Sequence, residues 1–150
     1  MYTLLIELKN KRLIRISSDR CWHLSAGYYV YTGSALGKGS TSLEKRLERH
    51  LKIEKKRFWH IDRLLNGSGR IVSIVYAQTG ERMECRVNQK ILSHPRAESI
   101  EGFGSSDCRN GCIGHLIHLH FSAEEDLINL IFNVYSALGL NPFHNMICEA

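Results

Sequence analysis

The sequence predicts a mixed α/β (α+β) chain: a small, mostly antiparallel sheet flanked by helices, with a C-terminal strand and helix extension. Tyr2 to Leu8 alternates at period two, and Tyr28-Tyr29-Val30-Tyr31 is aromatic and β-branched up to a turn at Thr32-Gly33. Beyond that turn, Leu43, Leu47 and Leu51 recur at helical spacing. Strand and helix patterns therefore interleave along the chain. At 150 residues it fits one domain, able to bury roughly 68–70% of its unfolded surface without disulfides or metal. The expected core covers about residues 1–95, with an extension over about 96–150 packed on it.

Taken in order, Tyr2 to Leu8 reads as a strand, Lys9-Asn10-Lys11 as a polar turn, and Leu13-Ile14-Arg15-Ile16 as the returning hairpin partner. Ser17 to Ala26 reads as a loop. The strand from Gly27 ends at Gly33, and Ser34 to Ser42 supplies glycines and hydroxyls that can cap a helix starting near Leu43. On that helix Arg46 and His50 fall about 60° and 20° to one side of Leu43, at the core border, while Lys45, Glu48 and Arg49 point outward. A charged connector, Lys52 to Lys56, leads to a second helix over Arg57 to Leu65, closed by Asn66-Gly67-Ser68-Gly69. Ile71 to Tyr76 follows as a strand. Glu81 to Leu92 is a third helix with Met83, Val87 and Ile91 inward and Pro95 past its end. Gly102 to Gly114 is irregular. His115 to Phe121 alternates, with Ile117, Leu119 and Phe121 on one face and His118 and His120 on the other. Ser122-Ala123-Glu124-Glu125 forms a capping box for a last helix through Leu138, which Gly139 ends.

Net charge is +5. Between residues 44 and 57, seven Lys/Arg (45, 46, 49, 52, 55, 56, 57) stand against three Glu (44, 48, 54), so most of the excess sits beside one helix. Such clustering favours a polyanion, nucleic acid being the commonest. The plainer reading is a solvated helix face with Glu/Lys pairs through Glu44 and Glu48. No apolar run approaches the roughly 20 residues that span a bilayer, and MYTLLIELKN lacks the pattern of a signal peptide. Five cysteines (Cys21, Cys85, Cys108, Cys112, Cys148), odd in number, argue for reduced thiols. A cytoplasmic protein without a membrane partner is expected.

Tyr31-Thr32-Gly33, the Gly/Ser loop, and a helix carrying Arg46 and His50 four residues apart resemble the second half of the GIY-YIG nuclease signature. From Met1 to about His120 the chain resembles one branch of that superfamily. The shared motifs are YVYxGSA (Tyr29 to Ala35), RxxRH (Arg46 to His50), WHID (Trp59 to Asp62), Glu84-Cys85, and FGSSDCxxxC (Phe103 to Cys112) before His115-Leu116. The resemblance implies a GIY-YIG-like fold and hydrolysis of a phosphodiester, probed first on DNA, with Mg²⁺ or Mn²⁺. Some relatives are joined to endonuclease III type glycosylases, which implies DNA repair and a repair glycosylase as partner.

It also implies roles. Tyr2, Tyr31, Arg46 and His50 are the candidate catalytic residues and Glu84 the metal ligand, supplying a base for water, a cation for phosphoryl charge and a seat for the ion. Tyr2 departs from the family pattern: no Gly-Ile precedes it, and the gap to Tyr31 is long, as an inserted hairpin strand would make it. Gly33, Ser34, Lys38, Arg49, Lys52, Lys55, Lys56, His60, Ser105, Ser106 and Asp107 are the candidate substrate contacts.

Plainer readings stand beside these. The tyrosines can be strand aromatics, Arg46 an ion-pair residue, and His50 a helix C-terminal cation favoured by ~0.3–1 kcal/mol. Asp62 can orient a neighbour while Trp59 packs, and Glu84 can serve the helix dipole. Cys108, Cys112 and His115 offer three soft ligands where a closed zinc site needs four, so a loop folded over the cleft is preferred to zinc. Two other classes follow: a non-catalytic nucleic-acid-binding module, and a zinc-binding structural or redox protein. Metal-dependent cleavage separates nuclease from binding module; stoichiometric zinc points to the third.

Overall fold

A computed structural model describes residues 1–15, 18–36, 42–52, 60–66, 68–105 and 108–146. The chain runs β1 (Tyr2–Leu8), β2 (Arg12–Arg15), β3 (Cys21–Leu24), β4 (Gly27–Gly33), α1 (Leu43–Leu51), α2 (His60–Leu65), β5 (Gly69–Tyr76), α3 (Glu84–Leu92), β6 (Ala97–Ser99), β7 (Leu116–Leu119), α4 (Glu124–Ala137) and β8 (Phe143–Met146). The fold is α+β. Six strands form one sheet in the order β6-β7-β4-β1-β5-β8, every neighbouring pair antiparallel.

Alternation along β1 sorts the core into two layers. Tyr2, Leu4, Ile6 and Leu8 face Tyr29, Ile61 and Leu64 of α2, Phe103, and Ile14, Trp22 and Leu24 of β2 and β3. Leu5, with Val30, Val72 and Val75, faces Met83, Val87 and Ile91 beside α3 and Leu127, Ile131 and Tyr135 of α4. On the Leu5 face, buried Thr3 shares hydrogen bonds with Thr32 (2.9 Å) and the Tyr135 hydroxyl (2.8 Å), so α4 is tied to the sheet through a satisfied polar contact. Among the described residues no helix is long and apolar enough to cross a membrane.

Several sequence expectations are corrected. The segment from Leu13 does not pair with β1, because β4 and β5 occupy both β1 edges; β2 pairs instead with β3, Ile14 opposite Trp22, within the stretch expected to be loop. Leu51 is 44% exposed, since each four-residue step overshoots a turn by about 40° and two steps carry it off the Leu43 stripe. The third helix begins at Glu84, and of the second only His60–Leu65 lies within the described residues. The last helix is capped by Ala123 without a side-chain bond, so the Ser122 capping box does not form; Glu124, Glu125 and Asp126 instead place negative charge on its first turn. All of β7 is buried, because it lies inside the sheet between β6 and β4, and His118 stacks on Tyr29 with ring centroids 4.5 Å apart.

Candidate active site

A cleft of about 960 Å³ opens where β4 ends and β1 begins, and each surrounding element contributes a wall. Tyr2, Tyr31, Gly33 and Ser34 come from the strand ends, Arg46 from α1, His60 from α2, and Glu84 and Cys85 from the first turn of α3. The long connection between β6 and β7 closes it with Gly104, Cys108, Arg109, Asn110 and His115. Tyr2, Tyr31 and Arg46 therefore line one cleft with Glu84, although α1 and α3 pack on different layers of the core.

His50 is buried and shares a 2.8 Å hydrogen bond between its Nε2 and the Tyr2 hydroxyl. The Tyr31 ring meets the same imidazole edge-on, centroids 6.5 Å apart. His50 is thus a support behind the two tyrosines, and it does not line the cleft. Burial pushes the Tyr2 hydroxyl up to about 12, with Arg46 working against the shift. A raised phenol favours the protonated form in the folded state, so its contribution to stability is complete below the ordinary value of about 10 and is lost as pH rises toward about 12. In alkaline melts, Tyr2→Phe is expected to lose stability less steeply than wild type across that window. Equal slopes would remove Tyr2 from the alkaline transition.

Tyr2 also explains Gly33. A Cβ at residue 33 would lie 2.4 Å from the Tyr2 hydroxyl, so only glycine lets the strand end pass this ring. Gly104 has a similar constraint, with φ of +70° and Tyr31 Cε2 2.9 Å from the position of a Cβ.

The remaining candidates divide. His60 lines the cleft, accepts a 2.9 Å hydrogen bond at Nδ1 from the Gly104 amide and packs edge-on against Trp22. Arg49, expected to point outward, instead donates to the fully buried carboxylate of Asp62 at 2.6 Å. Lys52 is exposed at the end of α1, and Lys45 pairs with Glu48 at 3.2 Å. Ser105 turns its hydroxyl to the Ile113 carbonyl at 3.4 Å. Lys38, Lys55, Lys56, Trp59, Ser106 and Asp107 lie outside the described residues.

Glu84 sits in the first turn of α3 with its Oε2 buried and no hydrogen-bond partner among the described residues. A desolvated carboxylate oxygen of this kind calls for a cation or a donor, and the Met1 ammonium, whose charged form Glu84 favours, is one positive charge already near it. Next to it, Cys85 joins Cys108, Cys112 and His115, whose ligand atoms all lie within 4.8 Å of one another. Burial pushes the Cys85 thiol up to about 12. Burial acts on Cys108 in the same direction, but hydrogen bonds from the Asn110 and Cys112 backbone and from His115 hold it down to about 6.

Sequence reasoning grouped three of these four ligands and missed Cys85, because 23 residues separate it from Cys108 and no local spacing connects a helix start to a distant loop. Arg82, also a cleft residue, carried no motif that marked it, and Arg109 and Asn110 fell at unspecified positions of the FGSSDCxxxC motif.

Residues 1–139 match the family described as Domain of unknown function DUF123. No curated protein and no solved structure matches the chain.

Proposed function

The chain belongs to the DUF123 family, and we propose that it is a divalent-metal-dependent phosphodiesterase acting on nucleic acid, with DNA as the first substrate to test. One observation carries this reading. A buried carboxylate oxygen of Glu84 without a hydrogen-bond partner among the described residues lines the same cleft as Tyr2, Tyr31 and Arg46. The GIY-YIG resemblance assigns those residue types to phosphodiester hydrolysis.

Glu84 would hold Mg²⁺ or Mn²⁺. The ion would neutralise developing charge on the phosphodiester oxygens. Arg46, at the cleft border, faces the phosphoryl group and stabilises the charge it gains in the transition state. Tyr31 orients or activates the attacking water, while the Tyr2–His50 hydrogen bond of 2.8 Å holds the neighbouring ring in place. His60 and Ser34 contact the flanking backbone. The basic stretch after Glu44 attracts the polyanion.

DNA repair beside an endonuclease III type glycosylase, in the cytoplasm, is the proposed setting; free thiols at Cys21, Cys85, Cys108 and Cys112 suit a reducing compartment. The test is incubation with single-stranded, duplex, flap and abasic DNA in Mg²⁺ or Mn²⁺, with Glu84→Gln in parallel. Cleavage of at least one substrate that needs the ion and Glu84 is expected. Soaked Mn²⁺ should give an anomalous peak about 2.0–2.3 Å from the Glu84 carboxylate. Failure to cut any substrate, with no peak at Glu84, overturns the reading.

A further inference from the structure

We propose that Cys85, Cys108, Cys112 and His115 form a closed zinc site that pins the β6–β7 connection to the start of α3, independently of whether the neighbouring cleft cuts DNA. The distances carry it. Cys85 Sγ lies 3.6 Å from Cys108 Sγ and 3.8 Å from His115 Nε2, and the four ligand atoms are mutually within 4.8 Å. A tetrahedron built with Zn–S of about 2.3 Å and Zn–N of about 2.0–2.1 Å has edges of about 3.5–3.8 Å. The two Cys85 edges, to Cys108 and His115, fall in this range, and the other four lie within 4.8 Å. The Cys85–Cys108 separation is far from the roughly 2.05 Å of a disulfide.

Ligand chemistry agrees with the geometry. Three sulfurs and one imidazole are a composition of structural zinc sites, and a fourth protein ligand leaves no open position for catalysis. The loop is pre-shaped to deliver its three ligands. Gly111 takes a φ of +74° between Cys108 and Cys112, and Asn88 of α3 donates to the Gly114 carbonyl at 2.8 Å. Gln89, one turn further along α3, donates to Cys112 Sγ at 3.8 Å, as an outer-shell partner of a thiolate ligand would.

The site also has a consequence for the cleft. Cys85 directly follows Glu84, and Cys108 and His115 line the cleft with Arg109 and Asn110. Zinc would thus hold one wall of the cleft in register with the Glu84 carboxylate, which lines the same cleft as Arg46.

The experiment measures metal by mass spectrometry in full-length protein purified without chelator. One zinc per chain is expected. Cobalt substitution should give the intense visible bands and thiolate-to-metal charge transfer of a tetrahedral thiolate site. Cys85→Ser should weaken zinc by more than the ~10–100-fold that an outer-shell change costs, Gln89→Leu should fall within that range, and exposed Cys21→Ser should change nothing. If Cys85→Ser fails to fold, wild type stripped with chelator provides the test: its melting temperature should drop and return on adding zinc. Substoichiometric zinc after metal-replete growth, with an unchanged melt after chelation, overturns the site. So does a Cys85–Cys108 disulfide in the purified chain, or full zinc retention by folded Cys85→Ser.

Discussion

Arg46→Ala is expected to lower cleavage by roughly 10²–10³-fold in kcat, the usual loss when one preorganised donor to transition-state charge is removed. Arg46 is half-buried on α1 and lines the cleft with Tyr2, Tyr31 and Glu84. Its guanidinium thus works in a partly desolvated site, where a fixed charge counts for more than it does in water. Substrate affinity should change far less than kcat, because the interaction strengthens as negative charge develops. Arg46→Lys keeps the charge but loses the planar fork, so partial activity between wild type and alanine is expected. Tyr31→Phe should cost about 10²-fold if its hydroxyl orders or activates the water. Single-turnover kinetics on the cleaved DNA, with circular dichroism to confirm folding, decides. Near-wild-type kcat in both Arg46→Ala and Tyr31→Phe would remove this cleft from the chemistry.

The parts of this molecule that the sequence makes legible are those governed by local periodicity. β1, β4, β5, α1 and α4 each carry five or more residues of one pattern, and their cores follow it. The edge strands β6 and β8 and the β2–β3 pair have only three or four residues each, and what makes them strands is a partner found elsewhere in the chain. The site follows the same division. Tyr31, Arg46 and Glu84 could be placed from motif and helix geometry, whereas Cys85 joins Cys108, Cys112 and His115 only through tertiary folding. Arg49 shows the limit of helical geometry from the other side. Its direction relative to α1 alone points it outward, but α2 brings a buried acid to it.

Arg49→Ala is expected to be among the most destabilising single substitutions in the chain, by about 3–5 kcal/mol, the range for removing one partner of a buried ion pair. Asp62 is 0% exposed and Arg49 25% exposed, with 2.6 Å between guanidinium and carboxylate. The two partners therefore differ in what their loss leaves behind. Deleting Arg49 strips a cation from a carboxylate with no access to water, whereas in Asp62→Asn the partly exposed guanidinium can turn to solvent. Arg49→Ala should accordingly cost more than Asp62→Asn. For a chain of this size the alanine variant should melt roughly 6–20 °C lower, and its urea midpoint should fall without a change in m. DNA binding provides the contrasting measurement. A side chain committed to Asp62 leaves the salt slope of binding unchanged, whereas a phosphate contact would reduce that slope by about 0.9. A stability loss under about 1 kcal/mol together with a reduced slope would return Arg49 to the substrate surface and leave Asp62 to be balanced by other groups.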